Sequence, residues 1–476
     1  MTKKTNQDIG LVWFKNDLRL HDNESLCNAI ATGMPLLFLY CIDSNLYRPL
    51  ALGFRKAGAN RAIFLKQALE DLKTRLENKG AHLVIEYGMV PAIIEKYVNN
   101  YSITHIFAEQ EYAWEELLQM NAVKKKITGK AELLTYWGKT LYHKDDIPFK
   151  INEIPLTSKA YRIPTGNQTE VREPFLEPSE IGGVVTINSK SFPSFKTLGF
   201  NEKEIAAVET FVAGGETEAL KRLHYYTFES KLLTGYRWSR NKSLGMDYSS
   251  KLSPYLALGS LSPRIIYQKV KQYEGLVKKN QSTWWLVFEL VWRDFFTFKG
   301  MRMGNAIFKT EGFTKKKVDF ENDKNLFERW CNGNTGLPFV DAHMRQLNKT
   351  GYMSNRGRVN CASFLVHDYK IDWTWGAAYF ESKLIDYDVS ANWMNWHMQA
   401  YQIWYTNPIH QSLKYNAKEF IQQWVPELSK INDERIYIPW HEESSQIELN
   451  GYPKPAEIFS KWTRSINKIL AALRDT

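Results

Sequence analysis

From Ile9 to about Tyr142, short apolar runs alternate with amphipathic stretches. Residues 9–14, 35–40, 82–87, 105–107 and 133–137 read as strands. Between them, residues 61–77 place Ile63, Phe64, Ala68, Leu69, Leu72 and Leu76 at helical spacing. Pro91 suits the first turn of a further helix running to Tyr101. Buried strands alternating with helices predict an α/β domain with a doubly wound parallel sheet. A nucleotide-like ligand would bind at the carboxyl ends of such strands. No G-x-G-x-x-G string and no P-loop occur, so a generic dinucleotide or ATP site has no support.

Residues 144–205 lose this periodicity and collect Pro, Gly, Ser and Thr, as in Ile163-Pro164-Thr165-Gly166. They read as a long interdomain connector that packs across the surface. From residue 206 onward the pattern is mostly helical. Residues 217–233 are amphipathic, with Glu216 and Glu218 at the start, where the helix dipole favours acids. Ser262-Pro263 reads as an N-cap followed by Pro at the first helical position. Residues 284–299 form a strongly apolar helix. The expected organisation is an N-terminal α/β domain (1–143), a connector (144–205) and a mostly α-helical domain (206–476).

Composition narrows the function classes. The chain has 476 residues, 44% hydrophobic and 24% charged, which is ordinary for a globular protein. No apolar run is long enough to span a bilayer, and the N-terminus lacks a signal-peptide pattern. Cys27, Cys41, Cys331 and Cys361 are scattered without CxxC spacing. That pattern argues for reduced thiols in a cytoplasmic protein, and against a structural zinc or an iron–sulfur cluster. A net charge of +10 is compatible with a polyanionic partner. Sixteen Trp would serve either a large helical core or a stacking ligand.

The densest chemistry lies in Leu384-Ile385-Asp386-Tyr387-Asp388 and Asn392-Trp393-Met394-Asn395-Trp396, where two carboxylates stand two apart and Asn392 and Trp396 share a helix face. Upstream stand Ser354-Asn355-Arg356-Gly357-Arg358 and Asp372-Trp373. Arginines, acids, an amide and large aromatics together suit a planar, polar, redox-active ligand. These strings resemble the flavin-binding part of the DNA photolyase/cryptochrome family, and its DASH branch in particular. The resemblance covers almost the whole chain. It includes Val12-Trp13-Phe14-Lys15-Asn16-Asp17-Leu18-Arg19, Asp247-Tyr248-Ser249-Ser250-Lys251-Leu252-Ser253-Pro254, Phe288-Glu289-Leu290-Val291-Trp292-Arg293 and Trp424-Val425-Pro426-Glu427-Leu428.

The resemblance implies FAD as cofactor. Ser249, Ser250, Lys251, Leu252 and Ser253 would cradle its diphosphate, with Tyr236 closing the pocket. Arg293 and Arg356 would contact flavin or phosphate, and Asn355 and Tyr387 would line the same site. Arg358 would pair with Asp386, and Asp388 would accept from the isoalloxazine edge. Asn392 would face flavin N5. Trp396 would be the first electron donor to the photoexcited flavin and Trp373 the second. Glu289 and Trp292 would contact the lesion. Glu109, Glu111 and Trp114 resemble the stretch that holds a methenyltetrahydrofolate antenna.

The implied function is blue-light-driven repair of cyclobutane pyrimidine dimers by electron transfer, in single-stranded or unpaired DNA: a deoxyribodipyrimidine photo-lyase, expected to be a monomer. The alternative is a DASH-type photoreceptor with weak or no repair. Two departures bear on this choice. The family's third Trp position falls on Phe320, a poor carrier of an electron hole, so electron entry would use another aromatic such as Trp330 or Tyr369. The segment between Trp396 and Asn407 is short and lacks an Arg, and Met398 stands where the family has Trp or Tyr. The chain also ends soon after Trp462, which favours repair over signalling through a C-terminal extension.

Overall fold

The computed structural model describes residues 8–185, 187, 190–314, 318–401, 405–444 and 449–474. Five strands, β1 (Ile9–Phe14), β2 (Leu36–Asp43), β3 (Leu83–Gly88), β4 (Ile103–Glu109) and β5 (Glu132–Tyr136), form a parallel sheet in the order β3-β2-β1-β4-β5. The period-2 geometry of β1 sends its side chains to two cores. Val12 and Phe14 join Ala68 and Leu72 of the helix Ala59–Glu77 on one face. Leu11 and Trp13 join Ile94 and Val98 of the helix Val90–Tyr101 on the other. The strand order reverses between β1 and β4, the position at which doubly wound sheets open a crevice.

The connector is more ordered than its composition predicts. Residues 158–168 form a helix, although Pro164 and Gly166 read as breakers. Tyr161 explains it: the ring is fully buried against Phe149, Phe295 and Phe298. Burial of this large side chain outweighs the local propensity. The amphipathic stretch 217–233 departs in the opposite sense. Its helix, Glu216–His224, gives way to a wider turn at Tyr225–Glu229. The Ser230 hydroxyl and backbone N–H both donate to the Tyr225 carbonyl, and Lys231 takes a left-handed φ of 55° that ends the turn.

The α/β and helical parts are tied by polar contacts. The Arg19 Nη1 donates to the Gly259 carbonyl at 2.8 Å, and Arg264 Nη2 lies 2.7 Å from Asp22 Oδ1. Gly259 has φ 66°, and a Cβ there would lie 1.9 Å from the Asn16 carbonyl oxygen. Glycine is required both by the backbone angle and by this close approach.

Four helices frame the site: α1 (Gln281–Met303), α2 (Asn355–Ser363), α3 (Trp373–Lys383) and α4 (Val389–Tyr401). Asn280 caps α1 by accepting from Ser282 N and Thr283 N, so the helix starts three residues before its apolar run. Ser262 and Pro263 open their helix as the N-cap pattern predicts. The segment after Trp396 stays helical to Tyr401, and Gln402, Ile403 and Trp404 lie outside the described residues. Among the described residues, no helix is long and apolar enough to cross a membrane.

Candidate functional site

A cavity of about 450 Å³ lies in the helical part, walled by residues 248–253 and by α1, α2 and α4. Its backbone cradle is fixed from outside. Arg222 Nε donates to the Ser250 carbonyl at 3.0 Å and its Nη2 to the Ser249 carbonyl at 3.2 Å. Ser249, Ser250, Lys251, Leu252 and Ser253 all reach the cavity wall, as does Tyr236.

Lys251 holds a left-handed φ of 59° and is buried, with its ammonium 3.1 Å from the centroid of the Tyr248 ring. Burial, reinforced by the charge of Arg222, pushes the Lys251 ammonium down to about 6. A neighbouring anion would restore its charge.

Across the cavity, Arg358 Nη2 donates to both oxygens of Asp386, at 2.9 and 2.7 Å. Ser253 Oγ donates to Asp386 Oδ2 at 2.7 Å, joining the cradle to the ion pair. Burial opposes the Arg358 charge, but Asp386 outweighs it and holds the guanidinium above its ordinary value. Asp388 also lines the cavity, yet its oxygens are already engaged. Oδ1 accepts from Ala391 N at 2.9 Å, and Oδ2 faces Arg293 Nη2 at 3.3 Å. Any further contact to its oxygens must share them with these donors. Asn355, Tyr387 and Arg293 line the cavity too, whereas Arg356 does not; its guanidinium lies over the Tyr415 ring.

Asn392 is buried at the first turn of α4 and donates from Nδ2 to the Ala377 carbonyl at 3.0 Å. Its Oδ1 accepts nothing from the described residues. Trp396, one turn on, lines the cavity and is 3% exposed. Its ring contacts are Phe380 at 5.0 Å and Trp330 at 6.1 Å between centroids. Trp373 lies off the cavity, with ring contacts to Trp393 and His397. The two tryptophans expected to act in series therefore belong to different ring clusters. Phe320 is half-buried.

Glu289 stands on the cavity wall from α1. Trp285 Nε1 donates to its Oε1 at 2.9 Å, and the Arg240 guanidinium forms an ion pair with the same oxygen, its Nη1 also 2.9 Å away. Burial raises its carboxyl pKa, and Arg240 partly offsets that. Its Oε2 accepts no hydrogen bond from the described residues. Trp292 was expected beside it, but it is not on the cavity wall. Its ring packs against Phe288, Phe295 and Phe296 along α1. Met398 does line the cavity.

A second cavity, of about 210 Å³, opens at the carboxyl ends of β1, β2 and β4 and is closed by residues of the helical part. Glu109 and Glu111 line it, bridged by Lys139 at 2.6 and 3.3 Å; Lys15 lies 3.1 Å from Glu111. Burial opposes ionisation of Glu111, but Lys139 and Lys15 hold its carboxyl below the usual range. Burial keeps Glu109 above it. Glu116, at the end of the same acidic stretch, also lines this cavity and is pushed up to about 7 by burial and by Glu111. Trp114 is not on this wall and is 45% exposed.

Sequence reasoning quoted Tyr248 in the phosphate-loop string without giving it a role, and it missed Tyr352 and Arg240. Tyr352 stacks on Phe211 at 4.2 Å, and both flank Lys251. The available signal was adjacency: Tyr248 precedes the serine string and Tyr352 precedes Ser354.

Known proteins resemble this chain in sequence and in fold. Residues 10–173 match the family model for DNA photolyase, and residues 285–470 match the model for the FAD binding domain of DNA photolyase. The chain belongs to the DNA photolyase/cryptochrome family. Within it the resemblance is to the DASH branch. Cryptochrome DASH of Synechocystis sp. is 38% identical, covering 96% of this chain and 97% of the relative. Cryptochrome DASH of Xenopus laevis is 37% identical, covering 95% and 90%. The crystal structure of the Synechocystis cryptochrome superposes with a TM-score of 0.90 at 37% identity, over 97% of this chain and 99% of that one. A bacterial class III photolyase from Agrobacterium tumefaciens gives 0.83 at 25% identity, over all of both chains.

FAD is the cofactor of this family's helical domain, and the larger cavity fits it. Lys251 offers a buried amine with no carboxylate ion-pair partner among the described residues, and a diphosphate beside it would hold it charged. Asn392 offers a free amide oxygen beside Trp396. The residues that would hold FAD are the 249–253 cradle, Arg358 with Asp386, and Asn392.

Proposed function

We propose that the protein uses blue light to split cyclobutane pyrimidine dimers in single-stranded or unpaired DNA. The observation that carries this reading is the free Oε2 of Glu289, held on the wall of the same cavity that Asn392 and Trp396 line. When bound and reduced, FAD supplies the light-driven electron. The protein's part is to position and to tune. Trp285 and Arg240 hold one oxygen of Glu289 and leave the other without a hydrogen-bond donor among the described residues, on a side chain that lines the cavity. A carboxyl with a raised pKa can hydrogen-bond the carbonyl or imide edge of a pyrimidine pair in either protonation state. Asn392, with its Nδ2 tied to Ala377, presents an acceptor suited to a flavin protonated at N5. Met398 fills the place of a stacking aromatic with a polarizable thioether, which predicts weaker lesion affinity.

The test is repair of a thymine dimer in a single-stranded oligonucleotide under blue light, with flavin reduction confirmed by absorption. Rapid light-dependent repair supports the reading. Absence of repair with the flavin fully reduced overturns it in favour of a photoreceptor.

We further propose that the interdomain cavity takes a folate antenna. Its place at the topological switch point and its buried Glu111 support this. Glu111→Gln is expected to lower the amount of methenyltetrahydrofolate bound, measured by its fluorescence; unchanged binding would remove the assignment.

A further inference from the structure

Next along the chain to Tyr236, Arg240 and Leu286 of the larger cavity's wall, two indoles lie open to solvent: Trp238 is 75% exposed and Trp284 is 52% exposed. Neither is an isolated surface residue. Arg237 lies between Trp238 and Trp285, with its guanidinium 5.0 and 4.9 Å from their ring centroids. Trp284 stacks on Phe288 at 4.8 Å and 28°, and meets Trp285 edge-on at 5.8 Å. Trp285 in turn donates to Glu289 on the cavity wall. The rings and cations therefore form one rim, continuous with the site.

The rim is held in place. Arg237 N donates to Ser282 Oγ at 3.2 Å and Asn280 Nδ2 to the Thr234 carbonyl at 3.0 Å, which docks the Trp238 turn onto the start of α1. The cations are also unspent. Neither Arg237 nor Arg162 has a carboxylate partner among the described residues. Arg162 lies 4.4 Å from the Phe288 centroid, and its Nε is buried without a hydrogen-bond partner.

We propose that Trp238 and Trp284 are a stacking platform for the unpaired bases that flank the nucleotides drawn into the cavity. The inference rests on the reading that DNA is the substrate and adds the feature that selects single strands. An aromatic face beside free guanidinium groups matches a base and its phosphate together, and it tolerates any base because each has a π-face. In a duplex those faces are covered by neighbouring base pairs, so the platform has nothing to stack on. Charge favours a nucleic acid over a protein partner, since the unpaired arginines stand in a chain of net charge +10.

The experiment uses the FAD-loaded full chain and an undamaged oligo-dT strand, with a duplex of the same length for comparison, and reads fluorescence anisotropy at one fixed salt concentration. The double variant Trp238→Ala, Trp284→Ala is expected to lose about tenfold or more in affinity for the single strand, and at most about twofold for the duplex. Flavin content equal to the parent's shows that the fold is intact. Trp238→Phe, Trp284→Phe keeps the ring faces and is expected to recover most of the loss. Parental single-strand affinity in the alanine variant, or an equal loss for the duplex, overturns the platform. The readout involves no lesion and no light, so failure of repair and failure of the platform remain distinguishable. A parent that binds the strand through these rings without repairing dimers loses the repair reading alone.

Discussion

The indole of Trp396 lies directly on Gly376 of α3: a Cβ at that glycine would sit 2.3 Å from the ring's Cη2. This contact fixes how far the ring can withdraw from the cavity. Gly376→Ala is therefore expected to shift Trp396 and to destabilise the protein by about 1–3 kcal/mol. Thermal unfolding measures the loss, and a change in Trp fluorescence reports the displaced ring. Parental stability would mean that α3 yields at no cost.

Trp396 is also the indole on the cavity wall. Trp396→Phe is expected to remove most light-driven reduction of bound FAD while keeping FAD bound, as followed by absorption under blue light. Normal reduction in this variant would assign the donor role elsewhere.

Glu289→Ala is expected to lower the yield of dimer repair strongly while FAD content stays at the parental level. The arrangement at Oε1 adds a second expectation. Arg240→Ala should raise the Glu289 pKa further, since it removes the cation that offsets burial. The pH profile of repair should then shift to higher pH. An unchanged yield in Glu289→Ala would remove the residue from the reaction.

Lys251 gives a pH dependence with a definite sign. Its pKa is lowered in the folded apoprotein to about 6, against roughly 10.4 unfolded. Between these values the unfolded state holds the extra proton, so apoprotein stability rises with pH across that window and is diminished below it. Binding a diphosphate beside Lys251 should restore its charge. Calorimetry in two buffers at pH 8 is expected to show uptake of about one proton per FAD, and Lys251→Met should abolish it. No uptake in the parent would place the diphosphate elsewhere.

Asp386 closes the ion pair with Arg358 and anchors Ser253. Asp386→Asn is expected to cost about 2–3 kcal/mol, because it leaves a mostly desolvated guanidinium without its countercharge. It should also weaken FAD binding, read by flavin retention on dialysis.

Much of this architecture was legible along the chain. The five apolar runs became the five strands, because a doubly covered parallel strand needs both of its faces apolar, and that shows as an unbroken run. The Ser262-Pro263 start was legible because capping is local. The cradle 249–253 and the Arg358–Asp386 pair stood out as motif strings, and the fold brings them to one cavity. What pattern alone left open depends on where side chains point after packing. Trp292 and Glu289 are three apart on α1, yet one packs among phenylalanines and the other faces the cavity. Trp114 precedes two acids but turns to solvent. The helix around Tyr161 forms because a distant apolar surface covers that ring. Arg240 reaches Glu289 across 49 positions of chain, and Trp238 and Trp284 share one rim only because the turn that carries one docks on the cap of the other. Local propensity and periodicity are written in neighbouring residues. Which groups share a cavity depends on long-range packing, which no window of sequence contains.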